Sequence, residues 1–124
     1  IGTRSFAAEM AIGNAVDFQW MIGMKRKEER LRYLTHYWCE KAMQIPKFKL
    51  FTSLKDEYSC AIATFNLEGW KPEELSAALF DRKKIHTTNI NQEKIHGVRV
   101  SPQVYTSLRD LDTLIEGIKE IAEG

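Results

Sequence analysis

Apolar residues recur along this chain at two spacings, and the changes between them mark out the predicted elements. In SFAAEMAIGNAVDFQWMIG, Ala8, Ala11, Ile12, Ala15, Val16 and Phe18 return at steps of three and four. That pattern predicts a helix with Ser5 as N-cap, Glu9 near its positive end and Gly23 as its stop. Gly13 inside it costs about 1 kcal/mol relative to alanine, so another backbone is expected to approach there. MKRKEERLRYLTHYWCEKAMQ predicts a second helix with Leu31, Leu34, Trp38 and Ala42 as one stripe. It ends before Ile45-Pro46, because proline disfavours helical geometry in the residue preceding it.

The period then shortens. FKLFTS alternates, and YSCAIATFNL is a longer apolar run that reads as an inner strand, with LKDE between them as a hairpin linker. KPEELSAALFDRK predicts a third helix, with Pro72 in its first turn and Glu73 and Glu74 at its positive end. KIHTTNI and IHGVRVS read as two more strands around a polar loop at Asn91-Gln92-Glu93. A final helix starts at Ser107, with Asp110 completing a capping box, and carries Leu108, Leu111, Leu114, Ile115, Ile118 and Ile121 as its apolar stripe.

Helices and strands in this order predict an α+β two-layer sandwich: a mostly antiparallel sheet of about four strands, helices on one face, and a long connecting helix ahead of it. The chain of 124 residues, 44% hydrophobic, suffices for one core. Its formal net charge of +1 gives no electrostatic case for nucleic acid or an anionic membrane as partner. No apolar run nears the ~20 residues of a membrane span, and no signal peptide is read. Cys39 and Cys60 lack a Cys-x-x-Cys spacing, so two buried thiols in a reducing cytoplasm are expected. The opening IGTRSF reads as a cut through a longer protein.

Few residues carry chemistry. His36, His86 and His96 fall on different elements without a second ligand at metal spacing, so no metal site is expected. No nucleophile elbow or glycine-rich phosphate loop occurs. Lys25, Arg26 and Lys27 in MKRKEER stand at the wrong helix end for the dipole and read as a solvated face. Two features stand out. Arg99 sits between Val98 and Val100 in a short strand, where a guanidinium fork suits bidentate capture of a carboxylate, or a structural pairing. Gly2-Thr3, just before a helix, could hold a phosphate.

These two ends resemble a known family. IGTRSFAAEMAIGNAVDF resembles the segment after the cofactor lysine in class V aminotransferases, pyridoxal-phosphate enzymes of fold type I. GVRVSPQVYTSLRDLDTLIEGI resembles that family's ending, an Arg-x-Ser strand, a Tyr-Asn/Thr turn and a last helix. The resemblance covers essentially the whole chain. It implies a connecting helix over 1–23 from a large domain and a C-terminal small domain over 24–124. It implies pyridoxal 5'-phosphate, bound mainly by the large domain, an amino-acid substrate, a homodimer and a cytoplasmic enzyme. Gly2 and Thr3 would reach the cofactor phosphate, often that of the neighbouring subunit. Arg99 would meet the substrate carboxylate or play a structural part beside it, and Arg4 with Thr87, Thr88 and Asn89 would line the entrance.

IHTTNINQEKIHG lacks the arginine and reactive cysteine of the desulfurase branch, which moves the resemblance toward the isopenicillin-N-epimerase-like branch. No Schiff-base lysine context occurs in the chain, so no catalytic residue is expected in it and the chain alone is expected to be inactive. The alternative reading is a stand-alone ferredoxin-like module that binds a small acid on the sheet face around Arg99.

Overall fold

The computed structural model describes Gly2 and residues 5–124. The elements run α1 (Phe6–Ile22), α2 (Met24–Ala42), β1 (Phe48–Leu50), β2 (Ala63–Leu67), α3 (Pro72–Lys83), β3 (Thr88–Gln92), β4 (Ile95–Val100) and α4 (Leu108–Glu123). The strands form one sheet in the order β1-β2-β4-β3, with every neighbouring pair antiparallel. The expected two-layer α+β architecture is what the chain adopts.

Capping follows the local chemistry. Ser5 accepts the Ala8 N–H at the start of α1. At the start of α4, Ser107 and Asp110 exchange hydrogen bonds in a full capping box, which satisfies two of the orphan donors of that helix end. Gly23, at φ +88°, closes α1 and opens α2 in a backbone conformation that a side chain would strain.

The core lies between the sheet and helices α2, α3 and α4. Trp38, Leu34, Phe65, Leu67, Leu75, Leu79, Val98, Ile118 and Ile121 are buried in it. Trp38 meets Phe65 edge-on at 5.7 Å between ring centroids, and Phe48 stacks on Phe65 at 5.0 Å. Gly97 permits the closest backbone approach: a Cβ there would collide with the Phe65 carbonyl.

Several boundaries differ from the sequence reading. The run 58–67 pairs only from Ala63 onward, because α2 captures the carbonyls of the preceding segment. Arg32 Nη1 donates to the Ser59 carbonyl and Thr35 Oγ1 to that of Ala61, 3.1 Å away. The β1–β2 connection is therefore a braced loop over 51–62, longer than a hairpin. The first half of KIHTTNI belongs to the end of α3: Lys84 caps that helix in the left-handed region at φ +58°, and the Ile85 N–H bonds the Leu79 carbonyl. Asn91 and Gln92, expected in a loop, are paired strand residues, and the turn is Glu93-Lys94.

Cys39 is buried, but Cys60 is half-buried on the braced loop, and both are free thiols. Nothing lies within 4 Å of a Cβ built on Gly13, so no described backbone approaches it. Helix α1 buries no residue at all, and Trp20 and Met21 are 67% and 78% exposed.

Candidate functional site

Val98 and Arg99 show how β4 divides the sheet. Side chains alternate along a strand, and partners directly across an antiparallel pair share a face. Val98, opposite Phe65, faces the helices and is fully buried. Arg99, opposite Thr64 on one side and Thr88 on the other, faces away from them. Lys49, Asn66, Gly97 and Ile90 share this second face by the same register. No helix covers it.

Arg99 is half-buried on that open face. Its Nη2 makes one long hydrogen bond, 3.5 Å, to Thr88 Oγ1. Its Nε is shielded from water and has no partner. The ion pairs of the described residues engage Arg32 among the arginines and leave Arg99 without a carboxylate. A guanidinium with an unmet, desolvated donor is a costly group unless an acceptor arrives. An oxyanion placed in the plane of the fork would meet that demand.

The strand ends are fixed from behind. Arg30 Nη2 reaches from α2 to the Thr106 carbonyl at 3.1 Å, and Gln103 and Thr106 close a turn on each other. That turn presents Tyr105, 84% exposed, just beyond the end of β4. Opposite, α2 and α4 are clasped by Tyr37, Lys41 and Asp112. The phenol donates to Asp112 Oδ1 at 2.8 Å, and Lys41 Nζ lies 3.0 Å from the same oxygen. The Tyr37 hydrogen bond and the Lys41 ammonium hold the Asp112 carboxyl below its usual range. Burial pushes the Cys39 thiol up to about 12, which makes it a poor nucleophile.

Of the residues singled out in the sequence, the structure brings Arg99 and Thr88 together. Asn89 lies on the other face, the one on which Asn91 bonds Glu73 of α3. Thr87 is buried, its hydroxyl bonded to Ser76 Oγ at 3.0 Å. Gly2 is exposed, with nothing within 4 Å of a built Cβ. Thr3 and Arg4 lie outside the described residues.

Sequence reasoning missed Thr64 and Asn66. Both follow Arg99 onto the open face once the β2–β4 register is known, and the alternation in ATFNL was the signal available. Among the described residues, no three His, Cys, Asp or Glu side chains gather in a way that could hold a metal ion. No helix of the described residues is long and apolar enough to cross a membrane.

No family model matches the chain. Over 123 residues it is 28% identical to isopenicillin N epimerase of Amycolatopsis lactamdurans, a match covering 98% of this chain and 31% of that protein. Among solved structures, a cysteine desulfurase from Thermococcus onnurineus NA1 superposes with a TM-score of 0.85 at 20% identity, over 99% of this chain and 32% of the other. An Escherichia coli cysteine desulfurase gives 0.81 at 16% identity, over 98% and 32%. An alanine–glyoxylate aminotransferase from Nostoc sp. gives 0.61 at 18% identity, over 75% and 25%. The chain thus spans about a third of the length of these relatives. Its fold is that of their small C-terminal portion, and the resemblance to class V aminotransferases, nearest the isopenicillin-N-epimerase-like branch, holds along nearly the whole chain.

Proposed function

We propose that this chain is the small domain of a pyridoxal-phosphate enzyme acting on an amino acid, in which Arg99 clamps the substrate carboxylate. The observation that carries the reading is the half-buried Arg99 guanidinium, with an unpartnered Nε and no carboxylate beside it. Residues 1–23 would lead in from a large domain, and 24–124 would close over the substrate.

On this reading the described residues would not hold the cofactor covalently by themselves. Only Lys27 and Lys83 are not exposed. Lys27 donates to Gln19, and Lys83 lies between Glu116 and Glu120, whose hydrogen bonds raise its pKa and keep it an ammonium. A Schiff-base lysine needs the opposite, a free amine. The cofactor, when bound by the large domain, would supply the electron sink for chemistry at the amino-acid α-carbon. This chain's part would be recognition: Arg99 orients the carboxylate, and Thr88 steadies the guanidinium. By the same reading Gly2 and Thr3 would approach the cofactor phosphate across a homodimer interface, and Arg4 would stand at the entrance; Asn89, on the opposite face of the sheet from Arg99, drops out of that lining. A cytoplasmic setting accords with this reading.

The test is Arg99→Lys in the full-length enzyme. Lysine keeps the charge and loses the planar fork. A substrate clamp predicts a loss of about 1.5–3 kcal/mol, roughly ten- to hundredfold in kcat/KM, with little change in melting temperature. Unchanged kinetics with a clear drop in melting temperature would make Arg99 structural and remove it from the site.

A further inference from the structure

The open sheet face carries a second feature, away from Arg99. Where β1, the end of β2 and the β3–β4 turn meet, a cleft of about 480 Å³ is lined by Lys47, Lys49, Lys94, Phe51, Asn66 and Glu68, among others. Arg99 does not line it. Three lysines and one glutamate are among its lining residues. The lysine ion pairs of the described residues engage Lys25, Lys41, Lys71, Lys83 and Lys119 and none of these three.

Two further observations mark the cleft as a built site. Asn66 donates through Nδ2 to the Trp70 carbonyl at 2.9 Å, while its Oδ1 is buried and unpartnered. A buried acceptor left unmet costs about 1–3 kcal/mol unless a donor reaches it. Lys47 is held at φ +65°, in the left-handed region that disfavours an L side chain, with its carbonyl accepting the Glu68 N–H at 2.9 Å. Across the strand pair from Asn66, Lys49 extends with its ammonium 5.0 Å from the Phe51 ring centroid. The nitrogens of His96, also on the wall, are engaged by Asn91 and the Glu93 carbonyl.

We propose that this cleft binds a small dianion that also carries a hydroxyl or amino donor. Lys47, Lys49 and Lys94 take the anionic groups, a small turn of the Asn66 amide brings its buried Oδ1 to accept the donor, and Phe51 covers the carbon skeleton. The volume suits a small molecule. The site is independent of the reading of Arg99.

The test titrates the 124-residue chain with malate, with succinate (the same dicarboxylate without the hydroxyl) and with glycerol 3-phosphate, following backbone and Asn66 side-chain amide shifts by NMR. The hydroxylated dianions should shift the amides of residues 47–49, 66–69 and 94–96 saturably, and their ratio tells carboxylate from phosphate. Succinate should bind about three- to tenfold more weakly than malate. The Lys49→Gln, Lys94→Gln double variant, changed only at exposed positions, should keep its fold and lose at least about tenfold in affinity. Asn66→Ala should make malate and succinate equal. Shifts that do not saturate, or that persist in the double variant, would overturn the proposal. Shifts centred on Arg99 and Thr88 would also overturn it, and would leave the carboxylate clamp standing.

Discussion

Thr88 Oγ1 is the one hydrogen-bond partner of the Arg99 guanidinium among the described residues, at 3.5 Å across the β3–β4 pair. So long a bond steadies the side chain without neutralising it. If Arg99 is the proposed carboxylate clamp of a full-length enzyme, Thr88→Val there should lower kcat/KM by about two- to tenfold, the worth of one hydrogen bond, and less than Arg99→Lys. Thermal unfolding should be nearly unchanged, since Thr88 is exposed. A loss equal to that of Arg99→Lys would mean that Thr88 itself contacts substrate.

Asp112 ties α4 to α2 through Tyr37 and Lys41, and its carboxyl is held below the usual range by that hydrogen bond and that ammonium. A folded-state pKa below the unfolded one contributes stability above the unfolded value, near pH 4, which is lost as pH falls through the folded value. Asp112→Asn should therefore lower the melting temperature at pH 7, and the gap to the parent chain should close below about pH 4. A gap of constant size across that range would show that the aspartate charge is not involved.

Gly97 lies where β4 passes the Phe65 carbonyl. Because the obstruction is backbone, Gly97→Ala must displace a strand of the sheet, and a loss of about 1–3 kcal/mol or more is expected in chemical denaturation. Gly13→Ala is the contrasting control. Its Cβ meets open space, and alanine is the better helix former, so it should be neutral or stabilising by up to about 1 kcal/mol.

Helix α1 exposes Phe6, Met10, Ile12, Phe18, Trp20 and Met21 together. Apolar patches beyond a few hundred Å² drive association. Sedimentation of this chain should show dimers or larger species, and Met10→Glu with Met21→Glu should shift them to monomer. A monomeric parent chain at high concentration would remove α1 as a contact surface.

The two thiols should react at different rates. Cys39 is buried and its thiol is pushed up to about 12, whereas Cys60 is half-buried on the loop over 51–62. A thiol reagent at pH 8 should label one cysteine in the native chain and two after denaturation, with peptide mapping placing the first label on Cys60. Equal labelling of both in the native state would contradict the packing around Cys39.

Local chemistry was enough to place the helices. Ser5, Gly23, Pro72, Ser107 and Asp110 act within a turn of where they stand, so caps and stops could be read directly from the sequence. The apolar stripes of α2 and α4 were legible for the same reason, since a period of 3.6 leaves its mark in the order of residues. The strand limits were not, because they depend on distant partners. Arg32 and Thr35 on α2 take the carbonyls of Ser59 and Ala61 out of the sheet, and no window around 58–67 contains them. Arg99 itself could be picked out as a charge between valines. What only the tertiary structure decided was its company: antiparallel register puts Thr88 and Thr64 beside it, sends Asn89 to the other face, and sets Asn66 with Lys49 in a separate cleft. Alternation along a strand fixes which residues share a face, but pairing between strands far apart in sequence fixes which of them meet.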